Sequence, residues 1–184
     1  KELVVNKIVL GWNGKITTTN FFFGSIIENL ISSTEQMVMV VKVSNPLNTT
    51  NRIIVTIPEN AECEAGFNSW LNMLRIIASR TSSNLVFSGF KKTLSEIRGI
   101  MDTDGANLQI EYQVSNTSHP LYDQVKNVSI QDMYVVIAAR RRTLSFSHYI
   151  EHMPRDLARY YEHKNFIVIY PEQRAVELQA LSSS

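Results

Sequence analysis

Short runs of apolar, mostly β-branched residues recur along the chain, and segments of helical period separate most of them. The runs are Leu3–Leu10, Met37–Val43, Ile53–Ile57, Leu85–Phe87, Leu108–Val114, Met133–Ala138 and Phe166–Tyr170. Several, such as MVMVV and FIVIY, are continuously apolar rather than alternating. A strand of that kind has both faces buried, as in a parallel sheet covered by helices on either side. The expectation is therefore an α/β fold: a mostly parallel sheet with helices on both faces and right-handed crossovers.

The intervening segments supply those helices. In Gly66–Arg80, Phe67, Trp70, Leu71, Leu74, Ile77 and Ala78 recur at the spacing of one buried helical stripe. Ser25–Ser33 carries Ile26, Ile27, Leu30 and Ile31 on one side, and Thr93–Met101 carries Leu94, Ile97 and Met101. Arg155–Glu162 reads as a helix with Pro154 in its first turn, where a missing N–H costs nothing. A short helix is also predicted near Leu121–Val128. The order is β-α-β, a turn-rich join at Ser44–Asn51, and then β-α-β-α-β-α-β-α-β. Residues 1–44 thus form one unit, 52–172 a larger one, and 173–184 a polar tail expected to stay unpaired. A lone β-α-β unit has too little apolar surface to stand alone, so the chain begins in mid-domain or leans on its second part.

Charge and cysteine content narrow the function. Lys and Arg number 18 against 17 Asp and Glu, a net charge of +1, which offers no field for a nucleic-acid partner. The single cysteine, Cys63, excludes an intrachain disulfide framework and suits a reducing compartment. No apolar stretch approaches the roughly 18 residues of a membrane-spanning helix. The expectation is a soluble, cytosolic, globular protein.

One local pattern carries chemistry. After the first strand come Gly11-Trp12-Asn13-Gly14, nine residues, and then Gly24-Ser25 at the start of a helix. Glycines let a backbone approach an anion, while the helix N–H groups and dipole face it. The Ser25 hydroxyl would bond a phosphate oxygen or cap the helix. On the residues alone, a tight turn followed by a helix cap is the more ordinary reading. Neither the P-loop pattern nor G-x-G-x-x-G after a strand is present.

Other candidates have ordinary readings too. Arg140-Arg141-Arg142 at a strand end would grip an anion, but a solvated basic loop or salt-bridge partners is the favoured reading. His148 and His152 stand four apart without the H-E-x-x-H arrangement, and surface roles are expected. Cys63 sits among Glu59, Glu62 and Glu64, surroundings that disfavour a nucleophilic thiolate. Trp12 and Phe21–Phe23 would stack on a base, or more ordinarily fill the seam between the two units. No G-x-S-x-G elbow is found, so no enzyme activity is expected.

At Gly11, Gly14, Gly24 and Ser25 the chain resembles the universal stress proteins. Those domains end in a strand, Gly-x2-Gly-x9-Gly-(Ser/Thr), a helix and a last apolar strand, the place held here by Met37–Val43. Residues 1–44 look like the final β-α-β unit of a first copy, and 52–172 like a second, divergent one. The phrases GWNGK, FGSIIENL, QMVMV, PLNTTNRIIVTIPENAECEAGF and FIVIYPEQ are similar to the cytosolic C-terminal region of bacterial, Bacteroidetes-like cation:proton (Na+/H+) antiporters.

The resemblance implies a three-layer, Rossmann-like sheet and a cytosolic regulatory or interaction domain. It implies ATP or AMP held by Gly11, Asn13, Gly14, Gly24 and Ser25. Implied partners are an upstream transmembrane transport domain and further copies of the chain, at the cytoplasmic face of the inner membrane. The second copy departs from the family, with Ala138-Ala139-Arg140 in place of Gly-x2-Gly and Pro58-Glu59-Asn60 where an Asp for adenine is usual. A ligand-free dimerisation or scaffolding module is the alternative, with Met37–Val43 and Phe166–Tyr170 pairing antiparallel. A nucleotide-processing enzyme ranks last.

Overall fold

A computed structural model describes residues 7–12, 25–102, 108–115, 128–149, 151, 153, 157 and 161–173. The strands are β1 (Lys7–Gly11), β2 (Met37–Lys42), β3 (Arg52–Thr56), β4 (Asn84–Gly89), β5 (Ile110–Val114), β6 (Asp132–Ile137) and β7 (Asn165–Tyr170). Three α-helices lie wholly within the described residues: α1 (Ser25–Ser33), α2 (Phe67–Thr81) and α3 (Lys91–Met101). One sheet of seven strands takes the order β1-β2-β7-β6-β3-β4-β5. Every neighbouring pair is parallel except β2–β7, which is antiparallel in a register centred on Val40 opposite Val168.

The alternation of apolar side chains sorts this sheet into two cores. Met39, Val55, Phe87, Val135 and Ile169 face α2 and α3, packing with Trp70, Leu74, Leu94 and Ile97. Val40, Ile54, Tyr134, Val136 and Val168 face the other way, toward Ile27 and Ile31 of α1 and toward Met153, Leu157 and Tyr161. Helices on both faces make three layers, as the continuously apolar runs require.

One difference from expectation has a physical cause. The last crossover helix lies earlier than Arg155–Glu162: residues 148, 149, 151, 153 and 157 are helical, whereas Tyr161 is already past the helix. Tyr149, Met153, Leu157 and Tyr161 make the apolar stripe; the expected helix, read on Leu157, Tyr160 and Tyr161, held its second half and missed Tyr149 and Met153. The turn-rich join at 44–51 is pinned to the second unit. Asn165, almost fully buried, accepts from the Ser44 and Asn45 amides at 2.7 and 2.9 Å and donates back to the Asn45 carbonyl at 3.0 Å. The predicted helix at Leu121–Val128 falls outside the described residues, apart from Val128.

At the foot of the sheet, Arg52 grips Asp132 with two parallel bonds of 3.0 and 2.8 Å. The Ser129 amide adds a third at 2.7 Å. Burial would raise the Asp132 carboxyl, but these donors outweigh it and hold its pKa below the usual value.

Candidate functional site: two corresponding strand-end turns

The β2–β7 seam relates two β-α-β arrangements, β1-α1-β2 and β6-(148–157)-β7. Their strands leave the sheet alike. The Trp12 amide donates to the Val41 carbonyl at 2.7 Å, and the Ala138 amide donates to the Ile169 carbonyl at 2.8 Å. Trp12 therefore corresponds to Ala138 and Gly11 to Ile137; counting onward in sequence, Asn13 corresponds to Ala139 and Gly14 to Arg140.

In the first unit, Gly11 ends β1 opposite Val41, and a Cβ added there would meet no other atom within 4 Å. Ser25 opens α1. Asn13, Gly14 and Gly24 lie outside the described residues, as do Phe21–Phe23. Trp12 sits edge-on to Phe166 of the second unit, with ring centroids 5.3 Å apart, so it fills the seam as its ordinary reading has it. Lys42, at the end of β2, holds its ammonium 5.8 Å from the centre of the Phe166 ring and donates to the Glu162 carbonyl. Glu28 stands in the first turn of α1; burial pushes its carboxyl up, and Arg141 opposes the shift.

The second unit uses its turn differently. Arg140 is a buried guanidinium, not part of a solvated loop, and this corrects the expectation for the arginine run. Its nitrogens donate to the Ile31, Thr34, Gln36 and Pro171 carbonyls, with 2.6 Å to Gln36 and 3.3 Å to Pro171. Three of those acceptors belong to the end of α1 and the turn into β2. A cation at a helix C-terminus satisfies its last carbonyls and its dipole together. Burial lowers the Arg140 pKa, while Tyr170 and Glu35 oppose that shift. Arg141 pairs with Glu151, which His148 also meets at 3.1 Å, so these residues do serve as surface salt-bridge partners. His152 is outside the described residues.

The crevice between the β3 and β6 ends, where open α/β sheets bind ligands, is bridged by the protein itself. Glu64 accepts from the Ser145 amide at 2.9 Å and its hydroxyl at 2.8 Å. Glu62, its side chain 8% exposed, accepts from Thr93 at 2.7 Å and pairs with Lys92 at 3.0 Å at the start of α3. Burial alone would raise the Glu62 carboxyl; the bonds from Thr93, Lys92 and the Glu62 backbone leave it lowered. Across the crevice the chain after β7 lies on Gly66, where an added Cβ would come within 2.7–2.9 Å of Glu172 and Pro171. Glycine is required there by close approach, not by an unusual φ. An acidic side chain thus sits at the α3 N-terminus, a position suited to an anion.

Sequence reasoning missed Arg140, Glu62 and Glu64 as bridging groups. The only signal for Arg140 was positional: it lies just past the end of β6, in step with the first unit's second glycine. Among the described residues there is no group of three or more His, Cys, Asp or Glu side chains able to hold a metal. No described helix is long and apolar enough to cross a membrane.

Against known proteins, no family model and no curated protein matches the sequence. Solved structures do. One is a functionally unknown protein from Pseudomonas aeruginosa PAO1, with 13% identity, a TM-score of 0.54, and coverage of 90% of this chain and 63% of that one. Another, provisionally assigned to the universal stress proteins, comes from Pseudomonas aeruginosa UCBPP-PA14, with 12% identity, the same TM-score of 0.54, and the same 90% and 63% coverage. At that identity the likeness establishes the fold alone, which is universal-stress-protein-like. The chain spans 63% of the length of each of these two structures.

Proposed function

We propose that this chain is a regulatory or interaction domain on the cytoplasmic side of a monovalent cation:proton antiporter, sensing adenine nucleotide through the turn after β1. The observation that carries the reading is the contrast between the corresponding turns. The first keeps a glycine at the strand end and the Gly-x2-Gly-x9-Gly-Ser spacing up to a helix N-terminus. The second has committed its turn to an internal arginine contact.

In this reading Gly11 and Gly14 let the backbone approach the phosphates of ATP or AMP. Asn13 adds a side-chain amide, and Gly24 and Ser25 present the N-terminus and hydroxyl of α1. No bond is made or broken. A nucleotide that orders the turn shifts the packing of α1 on the seam, and the shift is limited to its differential affinity for the two arrangements. The transport domain, upstream in the polypeptide, reads that shift.

Isothermal titration with ATP, AMP and cyclic dinucleotides tests the proposal. Saturable heat with ATP or AMP, lost in Gly14→Arg, supports it; no heat at millimolar nucleotide overturns sensing. The antiparallel β2–β7 pairing favours a second reading, a scaffold without ligand. Val168→Asp, which introduces a charge into that seam, should then loosen α1 and β2 without any nucleotide effect.

A further inference from the structure

The turn after β6 holds an anion that belongs to the protein. One carboxylate oxygen of Glu64, Oε1, accepts from the Ser145 amide at 2.9 Å and from the Ser145 hydroxyl at 2.8 Å. A backbone N–H and a hydroxyl converging on one oxygen are the donors with which a turn grips an oxyanion. The rest of the turn suits that grip. Arg142 has φ 73°, a left-handed residue of the kind that brings neighbouring amides to one side. Arg141 and Arg142 are exposed, and Thr143 places its hydroxyl 3.5 Å from that of Ser145.

We infer that Glu64 is an internal stand-in for a phosphate group: the turn after β6 is an oxyanion site that the protein's own carboxylate keeps closed, and a phosphate occupies it once Glu64 is gone. The two acids of the crevice show why Glu64 is the displaceable one. Glu62 has a side chain only 8% exposed, tied by Thr93 and Lys92 at the start of α3. Glu64 is half-buried, and both of its bonds fall on a single oxygen. Ser145 itself is 5% exposed, so its donors point into the crevice and not into bulk water. Carboxylate and phosphate present acceptor oxygens to the same donors, and a phosphate brings more of them and more charge. Glu64 therefore acts as an autoinhibitory contact. It silences the second turn independently of any nucleotide held by the first.

Amide chemical shifts recorded during titration with inorganic phosphate test it, with chloride at matched ionic strength as the reference. In the wild-type chain the Ser145 amide should stay unmoved. In Glu64→Ala the amides of Arg142, Thr143 and Ser145 should shift saturably, and adding Ser145→Ala should weaken that binding by about tenfold. Glu64→Gln, which keeps an acceptor oxygen and loses the charge, should bind phosphate more weakly than Glu64→Ala, and it carries the test if the alanine variant does not fold. Phosphate without effect on the Ser145 amide of either variant overturns the inference. So do equal shifts in the wild type, and so do equal shifts with chloride. Shifts confined to Gly11 and Trp12 also overturn it, while leaving the turn after β1 as an anion site.

Discussion

The two β-α-β units that meet at the β2–β7 seam share a backbone plan and differ in the turns that leave their first strands. In the second unit Arg140 reaches across the seam and holds the carbonyls that end α1. In return Lys42 of the first unit holds the Glu162 carbonyl beyond the second unit's helix. Each unit thus grips the other's crossover with a cation, but only the first keeps glycine in its turn. An arginine at the second unit's turn, where the first unit has Gly14 in sequence, makes that turn an intramolecular contact. One seam therefore joins a unit whose turn carries glycines in sequence to a unit whose turn is committed to an internal contact.

The comparison breaks first at the base of the second unit. Asp132→Ala removes the buried carboxylate shared by Arg52 and the Ser129 amide and should cost about 3 kcal/mol in denaturant unfolding. Because the folded Asp132 pKa is lowered, its contribution is present above the unfolded carboxyl value, about 3.9, and is lost as pH falls through the folded value. The gap between wild type and variant should therefore be constant near neutrality and close in acid.

Matched truncations sharpen the contrast between the units. Val135→Ala empties space in a closed core and should cost about 2 kcal/mol, whereas Val9→Ala, at the corresponding but exposed position, should cost less than about 0.5 kcal/mol. Equal losses would show that Val9 is as enclosed in this chain as Val135.

Next comes the grip itself. Arg140→Ala should lose about 2 kcal/mol, and hydrogen exchange should rise in the α1–β2 turn before it rises in α2 or β4. Lys42→Ala, whose side chain is only half-buried, should lose about 0.5 kcal/mol. Uniform loosening across the sheet in Arg140→Ala would show that the contact stabilises the whole molecule and not the seam.

The sheet was legible because its inner strands, β2, β3, β6 and β7 above all, are apolar runs buried on both faces, whereas β1 and β5 alternate. The antiparallel join was expected as an alternative because the resemblance implies pairing through the last strands, and Met37–Val43 and Phe166–Tyr170 would otherwise be apolar edges. The last helix was misread because Pro154 looked like a start, while the stripe that packs begins near Tyr149. Arg140 was unreadable for a different reason. Three consecutive arginines usually face water, and only a fold that brings α1 over the end of β6 supplies a burial site with carbonyl acceptors. Glu62 and Glu64 were read as surroundings of Cys63, because their partners Thr93, Lys92 and Ser145 are distant in sequence. Of the glycine motif, Gly11 at a strand end and Ser25 at a helix start are where the pattern put them.

Amide chemical shifts recorded during titration with ATP test the divergence of the two turns most directly. The expected result is saturable shifts at Gly11, Trp12 and the first turn of α1, with Ala138–Ser145 unmoved. Shifts at Ala138–Ser145, or at neither turn, would contradict it.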